Sequence, residues 1–355
     1  MLVMKNGLKV IVLFALLALF TASLPAWAAK TLDVYFVDVE GGQATLFIFP
    51  SGESMLVDTG WAGFDGRDAD RIVQLATQHG VRQIDYLVIT HYHADHVGGV
   101  PQLVARIPVR NFVDHGPSVE HTKDANALVQ AYEQARQGKP HIVAKPGEKI
   151  PIHGTGGASV QIVTAAGDAI SQPLPDADAS NPLCATAKLR NADPSENARS
   201  VGLVITFGKF RMIDLGDLTW NKEYDVVCPN NKLGAVDVYM ASHHGLAASG
   251  SPVMVHALRP RVAIVDNGVT KGGSAEAWQT IHSSPGLESI WQLHYAVAAG
   301  ADNNAPEAFI ANPDADPKQD KGYWIKLSAE SNGAFSVTNC RTGETKSYPA
   351  AAQQR

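Results

Sequence analysis

The chain has 355 residues, of which 45% are hydrophobic and 18% are charged, and its formal net charge is −6. These values are typical of a globular protein with a sizeable core, and the mildly acidic balance argues against a surface that binds nucleic acid or another polyanion. Cys184, Cys228 and Cys340 allow one disulfide at most, and no two of them have the spacing of a zinc site.

The first 28 residues predict a secretory signal peptide. Lys5 and Lys9 precede an apolar stretch shorter than the roughly 20 residues that span a bilayer, and the pattern Ala26-Trp27-Ala28 ends it. We expect cleavage after Ala28, a periplasmic or secreted protein without a stable membrane anchor, and one domain over residues 29–355. Cleavage removes two lysines and no acid, so the net charge of −6 becomes −8.

The segment up to residue 90 predicts a meander of strands followed by a helix and a buried strand. Residues 31–58 contain three runs rich in Val, Ile, Leu and Phe, broken at Gly41-Gly42 and at Pro50-Ser51-Gly52. Residues 67–80 have helical spacing and end in glycine. DYLVIT, residues 85–90, is apolar almost throughout, as in a strand that is covered on both faces.

The remaining chain repeats this order of a meander followed by strands and helices. A helix after Gly99, a strand over 109–116 and a helix over 123–138 precede a loop-like stretch over 166–198, which is either a surface excursion or a loop that covers substrate. A hairpin over 200–218 turns at Gly208-Lys209, and strands over 261–268 and 289–295 flank a helix near 275–281. Two such halves predict an α/β fold, a four-layered αββα sandwich.

We expect the disulfide between Cys184 and Cys228, because both lie in polar, loop-like sequence while Cys340 lies near the chain end.

The segment HYHADH, residues 91–96, concentrates metal-binding side chains directly after the buried strand. In an extended loop His91 and His93 can turn to one ion, and Asp95 and His96 add two further ligands. Neutral imidazole with carboxylate suits Zn²⁺ best, although Mn²⁺ or Fe²⁺ is possible. Four ligands are too many for one tetrahedral ion with an open position, so we expect two divalent ions.

HYHADH followed by Gly98-Gly99 resembles the HxHxDH signature of the metallo-β-lactamase fold superfamily, and LVDTG, residues 56–60, resembles its first strand motif. ENARS, GD and SHHG, at residues 196–200, 216–217 and 242–245, are similar to motifs of the lactamase-like domain of ComEC-type DNA-uptake channels and of phosphorylcholine esterases. The resemblance covers about residues 32–268 and implies a two-metal hydrolase.

The resemblance implies a ligand set. His91 and His93 would hold the first ion, Asp95 and His96 the second, and Asp217, preferred over Asp214, would bridge them. His243 would complete one ion's ligands. Adjacent side chains on an extended backbone face opposite ways, so we expect only one of His243 and His244 to coordinate. His115 is either a further ligand or a structural histidine, and we expect Asp58 to accept loop N–H groups. His294 and Asp266 are candidate pocket residues.

The expected enzyme is a secreted or periplasmic hydrolase that uses a metal-bound hydroxide on an ester-type bond of a small molecule. Asp95 or Asp217 would accept the proton, and His244 would protonate the leaving group. Phosphodiesters or phosphoesters rank first through the resemblance, and nucleic acid is disfavoured by the acidic charge. The alternatives are a lactone or β-lactam hydrolase and a non-catalytic metal-binding protein.

Overall fold

The computed structural model describes residues 31–153 and 156–351, so the predicted signal peptide lies outside the described residues. The chain from Thr31 onward forms one compact unit. Within the described residues, no helix combines the length and the apolar character that crossing a membrane requires.

The described residues form twenty strands. The first six are β1 (Leu32–Phe36), β2 (Thr45–Ile48), β3 (Ser54–Val57), β4 (Ile84–Val88), β5 (Val109–Asp114) and β6 (His141–Val143). The next eleven are β7 (Lys149–Ile150), β8 (Ala158–Ala165), β9 (Asp168–Ala169), β10 (Ala179–Ser180), β11 (Gly202–Phe207), β12 (Phe210–Asp214), β13 (Asn230–Asn231), β14 (Val238–Met240), β15 (Val262–Val265), β16 (Ser289–His294) and β17 (Ile310–Asn312). The last three are β18 (Ile325–Ala329), β19 (Phe335–Asn339) and β20 (Thr345–Tyr348).

Two nine-stranded sheets contain most of these strands. The first has the order β20-β19-β18-β1-β2-β3-β4-β5-β6 and becomes parallel from β3 onward. The second has the order β17-β16-β15-β14-β12-β11-β8-β7, with β9 paired to β8, and it is parallel from β12 to β17. Each sheet therefore combines an antiparallel meander with a parallel part, as the sequence predicted.

In the part of the chain that the structure describes, seven α-helices cover the outer faces of the sheets. Four pack on the first sheet: α1 (Arg67–Gln78), α2 (Ala94–Val97), α3 (Val100–Val104) and α4 (Lys123–Ala135). Three pack on the second: α5 (Trp220–Val227), α6 (Pro252–Leu258) and α7 (Ala275–His282). The layers are helices, sheet, sheet and helices, which confirms the predicted αββα sandwich.

The core is layered in the same way because side chains alternate along each strand. In β1, Val34 and Phe36 point into the cluster between the two sheets, whereas Tyr35 packs under the helices of the first sheet. In β14, Met240 points between the sheets and Tyr239 points to the helices of the second. Both faces of these strands are covered, which explains why their sequences are apolar almost throughout.

The stretch over 166–198 is an ordered surface segment. It contains β9, β10 and a short 3₁₀ helix, Pro182–Ala185, and β10 pairs with β13. The predicted disulfide between Cys184 and Cys228 is confirmed, and it joins this segment to the end of α5. Cys340 is free. The final three strands were not predicted; they return to the first sheet, where β18 pairs with β1.

Candidate metal centre

The candidate centre lies where the parallel strands of both sheets end. His91 to His96 follow β4, Asp217 follows β12, His243 and His244 follow β14, and Asp266 follows β15. The carboxyl ends of parallel strands meet at one edge of a sheet, so polar side chains far apart in sequence converge there. In an αββα sandwich, the edges of two sheets contribute to one cleft.

The loop that carries HYHADH packs tightly against the loop after β3. A Cβ atom placed on Gly98 would lie 2.6 Å from the backbone nitrogen of Ala62, and one on Gly99 would lie 2.2 Å from the carbonyl oxygen of Thr59. Only glycine tolerates such approaches. Thr59 also donates from its backbone N–H to the carbonyl oxygen of His96 at 2.8 Å, which holds the two loops together.

One group of four side chains, the inner half-site, consists of Asp95, His96, His244 and the Oδ1 atom of Asp217. The Nε2 atom of His96 lies 3.3 Å from Asp95 Oδ2 and 3.3 Å from Asp217 Oδ1. The Nε2 atom of His244 lies 3.1 Å from Asp95 Oδ2 and 3.5 Å from Asp217 Oδ1. All four residues are buried, and their facing atoms form a cluster that could hold a metal ion.

A second group, the outer half-site, consists of His91, His93, His243 and the Oδ2 atom of Asp217. The Nε2 atom of His91 lies 3.0 Å from His93 Nδ1 and 3.9 Å from Asp217 Oδ2. His243 Nε2 lies 3.3 Å from the same oxygen. His93 is 29% exposed and His243 14%, so this group opens toward solvent.

Asp217 joins the two half-sites because its two carboxylate oxygens face different histidines. Gly216 before it has φ of +53°, and a Cβ there would lie 2.9 Å from the Thr90 side chain, so glycine permits the turn. Asp214 lies elsewhere: its carboxylate accepts hydrogen bonds from the Gln43 side chain at 2.8 Å and from the Gly216 backbone at 3.0 Å. The structure therefore places Asp217, and not Asp214, between the histidines.

The expectation that only one of His243 and His244 coordinates rested on an extended backbone that turns the two side chains to opposite sides, and the structure instead turns both imidazoles toward Asp217. Both residues have a positive φ of 57°, so the backbone is not extended, and the argument from opposite faces does not apply. His244, which was expected to act beside the ligands, lies in the inner half-site, and His243 lies in the outer one. The following Gly245, also at positive φ, completes this turn after β14.

Each of the five histidines has a partner on the ring nitrogen that faces away from the centre. Such partners orient metal-binding imidazoles and raise their basicity. The pairs are His91 with Thr90 Oγ1 at 3.1 Å, His93 with Glu120 Oε1 at 3.1 Å, His96 with Asp58 Oδ2 at 2.7 Å, His243 with Ser249 Oγ at 3.3 Å, and His244 with Asp266 Oδ2 at 3.1 Å. Asp58 also accepts the backbone N–H of Thr90 at 2.8 Å, which confirms its predicted role.

The donor atoms that remain fit a cation. Asp217 Oδ1 is buried and has no hydrogen-bond partner among the described residues, and a buried unsatisfied oxygen calls for a bound group. The Nε2 atoms of His96 and His244 face each other at 3.2 Å, a contact in which at most one hydrogen can lie. A metal ion satisfies converging lone pairs of this kind, so the residues fit the group that the sequence predicted.

The field of the inner half-site favours positive charge. Burial lowers the pKa of His244, but the charges of Asp217 and Asp266 outweigh it and raise the pKa to about 9. The same balance, with Asp217 and Asp95, raises the pKa of His96 well above its ordinary value. In the outer half-site, burial holds the pKa of His91 well below its ordinary range and lowers that of His243.

His115, the possible further ligand, does not join either half-site. Its Nε2 atom donates to Glu196 Oε2 at 2.8 Å, and its ring lies tilted against that of Tyr92 with centroids 4.7 Å apart. Glu196 also accepts hydrogen bonds from the Ser118 hydroxyl at 2.8 Å and the Val119 backbone at 2.7 Å. The structure thus supports the structural alternative for His115.

Three residues to which sequence reasoning assigned no role surround the two half-sites. Glu120 contacts His93 of the outer half-site, Glu196 donates from its backbone N–H to Glu120 at 3.2 Å, and Lys271 contacts Asp95 of the inner half-site. Asn197, the asparagine of the ENARS motif, lies 3.5 Å from His243 Nε2. No local motif marks Glu120 or Lys271, because they come from loops that only the fold brings together.

The segment over 166–198 supplies part of this surround. Glu196 and Asn197, near the end of this segment, contact Glu120 and His243. His294, in contrast, lies apart from the centre: its Nε2 atom is 2.7 Å from Asp38, which Arg71 also contacts at 3.1 Å.

Fold and site together define an αββα protein with a histidine and aspartate centre that could bind metal ions. Residues 38–169 match the model of the family described as the metallo-β-lactamase superfamily. This match confirms the resemblance that HYHADH and LVDTG indicated. The matched part includes His91 to His96 but ends before Asp217.

Two curated relatives share part of the chain. ComE operon protein 3 of Bacillus subtilis (strain 168) is 27% identical over 199 residues, which are 56% of this chain and 22% of that protein. Hydroxyacylglutathione hydrolase of Stenotrophomonas maltophilia (strain R551-3) is 35% identical over 104 residues, 29% of this chain and 37% of that protein. The chain thus spans well under half of each relative.

Two solved structures among those that align with part of this chain are the following. A metallo-β-lactamase with a HARLDQ motif from Cronobacter sakazakii has 17% identity and a TM-score of 0.35, covering 60% of this chain and 78% of its own. CmlA, a diiron β-hydroxylase from Streptomyces venezuelae, has 17% identity and a TM-score of 0.38, covering 71% of this chain and 47% of its own.

Proposed function

We propose that the protein is a secreted or periplasmic hydrolase that works with two divalent metal ions, Zn²⁺ first, on an ester-type bond of a small molecule. The observation that carries this proposal is the position of Asp217, whose Oδ1 faces His96 and His244 while its Oδ2 faces His91 and His243. A single carboxylate between two sets of imidazoles is the arrangement that a pair of neighbouring cations requires.

The inner half-site would hold one ion and the outer half-site the other. When bound, such ions lower the pKa of water and stabilise negative charge on the oxygen of an attacked carbonyl or phosphoryl group. No serine or cysteine nucleophile is needed. The imidazoles are aimed by their outer partners, so the chain's own contribution is a set of ligands preorganised before any ion arrives.

We propose one change to the expected proton-transfer roles, and it concerns His244. His244 is 1% exposed, its Nδ1 faces Asp266 and its Nε2 faces Asp95, so no ring nitrogen is left for a leaving group. We therefore assign His244 as a ligand. Asp95, whose side chain is 10% exposed against 3% for Asp217, is the carboxylate better placed to accept a proton from solvent or substrate.

The proposal of a secreted or periplasmic protein has one further support. The bond between Cys184 and Cys228 is characteristic of oxidising compartments and agrees with the signal-like sequence of residues 1–28.

Phosphodiesters or phosphoesters rank first among the substrates because the ENARS, GD and SHHG segments resemble motifs of phosphorylcholine esterases, and the acidic charge favours a small substrate over nucleic acid. An acyl substrate is the second candidate. The similarity to a hydroxyacylglutathione hydrolase supports a thioester, and the same hydroxide chemistry would also open a lactone or a β-lactam.

The test is turnover by the zinc-loaded protein on bis(p-nitrophenyl) phosphate, a lactone, hydroxyacylglutathione and a chromogenic cephalosporin. We expect hydrolysis of the phosphodiester, and its loss in Asp217→Asn but not in Asp214→Asn, which alters a carboxylate outside the half-sites. Hydrolysis of an acyl substrate alone would overturn the ranking. Two tightly bound ions without turnover of any of the four would indicate the non-catalytic metal-binding protein.

A further inference from the structure

Lys271 reaches the centre from the solvent side. It lies in the loop between β15 and α7, and its Nζ contacts Asp95 Oδ2, the oxygen that also faces His96 and His244. The Lys271 side chain is 31% exposed, whereas that of Asp95 is 10% exposed. The ammonium group therefore lies at the mouth of the inner half-site.

The loop holds the base of Lys271 firmly. Its carbonyl oxygen accepts the backbone N–H of Gly268 at 2.8 Å, and a Cβ on Gly41 would lie 3.0 Å from Lys271 Cβ. A Cβ on Gly272 would lie 2.3 Å from the carbonyl oxygen of His244, so the loop packs directly on the turn that carries a proposed ligand. The Nζ atom also lies 4.9 Å from the centroid of the Trp61 ring. The backbone is fixed, and the long side chain alone can adjust.

The charges around the centre make this lysine distinctive. The half-sites and their outer partners contain five carboxylates, those of Asp58, Asp95, Asp217, Asp266 and Glu120. Among the described residues, Lys271 is the one lysine or arginine that forms an ion pair with any of these five carboxylates. In the metal-free protein Asp95 neutralises the ammonium. When Asp95 binds a cation, its negative charge is neutralised by that cation and no longer by Lys271. The cation and the Lys271 ammonium then repel each other at short distance. A negative group between them removes the repulsion.

We propose that Lys271 binds the negatively charged group of the substrate, so that the enzyme selects anionic phosphate esters over neutral esters. This inference rests on the proposed function for the identity of the reaction. A charged hydrogen bond to a phosphate oxygen accounts for about a tenfold change in affinity or more. Lys271 thereby supplies the specificity for phosphate that the metal ligands, which serve carbonyl and phosphoryl oxygens alike, do not.

The binding experiment uses inorganic phosphate and zinc-loaded protein, measured by calorimetry without turnover. Lys271→Met should weaken phosphate binding about tenfold or more, and Lys271→Arg should restore part of it because the charge is kept. Lys222→Met is the matched control, since Lys222 is exposed on α5 and pairs with Asp225; its phosphate affinity should equal that of the wild type. Zinc content and circular dichroism establish that all variants fold and hold metal.

The kinetic arm compares an anionic substrate, bis(p-nitrophenyl) phosphate, with a neutral lactone. Lys271→Met should raise KM for the phosphodiester and leave KM for the lactone unchanged. Unchanged phosphate affinity in Lys271→Met, or an equal loss in Lys222→Met, overturns the inference. If the wild type hydrolyses no phosphodiester but Lys271→Met still loses phosphate binding, the assignment of Lys271 stands and the proposed phosphoesterase activity fails.

Discussion

The inner and outer half-sites contain similar side chains but have different surroundings. Each histidine of the inner half-site is backed by a buried carboxylate, Asp58 or Asp266. In the outer half-site hydroxyl groups back His91 and His243, and the carboxylate behind His93 belongs to Glu120, which is 29% exposed. A carboxylate strengthens an imidazole ligand more than a hydroxyl does, and burial protects that interaction from solvent.

Similar numbers of ligands in the two half-sites therefore need not give them the same affinity for a metal ion. The pKa directions agree, since the inner half-site stabilises protonated His96 and His244 whereas burial lowers the pKa values of His91 and His243. We therefore expect the inner half-site to bind the first equivalent of metal and the outer half-site the second, more weakly.

The largest effect should come from Asp217→Asn, because this carboxylate belongs to both half-sites. Both equivalents should bind more weakly, by more than the roughly 10- to 100-fold that removal of an outer partner costs. Zinc titration against a chelator measures both constants. Asp214→Asn, three residues away, should retain both equivalents; if Asp217→Asn also did so, the bridging position would be wrong.

Asp266→Asn should weaken the first equivalent by about 100-fold, since the amide cannot replace the carboxylate behind His244. The second equivalent should change much less. Titration with Co²⁺, followed by its visible absorption, separates the two equivalents. An equal loss in both would show that the half-sites are not independent.

The Glu196 carboxylate should contribute to the stability of the fold through its hydrogen bonds to the loop beside the outer half-site. Burial alone would raise its pKa, but hydrogen bonds from His115, Val119 and Ser118 lower it from 4.5 to about 2. A carboxylate whose pKa is depressed in the folded protein stabilises the fold at pH values above its pKa in the unfolded chain. This contribution is lost as the pH falls from about 4.5 toward 2.

Glu196→Gln should therefore lower the free energy of unfolding by about 2 kcal/mol at neutral pH. The difference from wild type should shrink as the pH falls through that window. Urea unfolding of the metal-free protein at several pH values measures it. The exposed Glu133→Gln on α4 is the control, and a pH-independent difference would contradict the assignment.

The smallest effect should come from Glu120→Gln. It removes the charge behind His93 but leaves a side chain of the same size, so the second equivalent should weaken by about tenfold and the first should be unchanged. The same Co²⁺ titration reports it. If Glu120→Gln weakened binding of the first equivalent of metal instead, the outer half-site would be the tighter site, contrary to our expectation.

Much of the fold followed from local patterns. The meander at the start, the helices near residues 67 and 123 and the hairpin turning at Gly208 all lie where apolar spacing and glycine predicted them. Helix α5 and strands β18 to β20 were not predicted. Strand β18 pairs with β1, nearly 300 residues away in sequence, and β19 and β20 extend the sheet beyond it. No local pattern specifies such a partnership.

The sequence by itself determined which chemistry is available: HYHADH after a buried strand, and an aspartate after a glycine that permits a tight turn. Tertiary structure alone decided the arrangement. Both His243 and His244 face the centre because their backbone is held at positive φ, His115 is bound by Glu196, and Lys271 and Glu120 arrive from distant loops. Side-chain direction and long-range proximity depend on backbone torsions and on packing between sheets, and neither is encoded in a short run of residues.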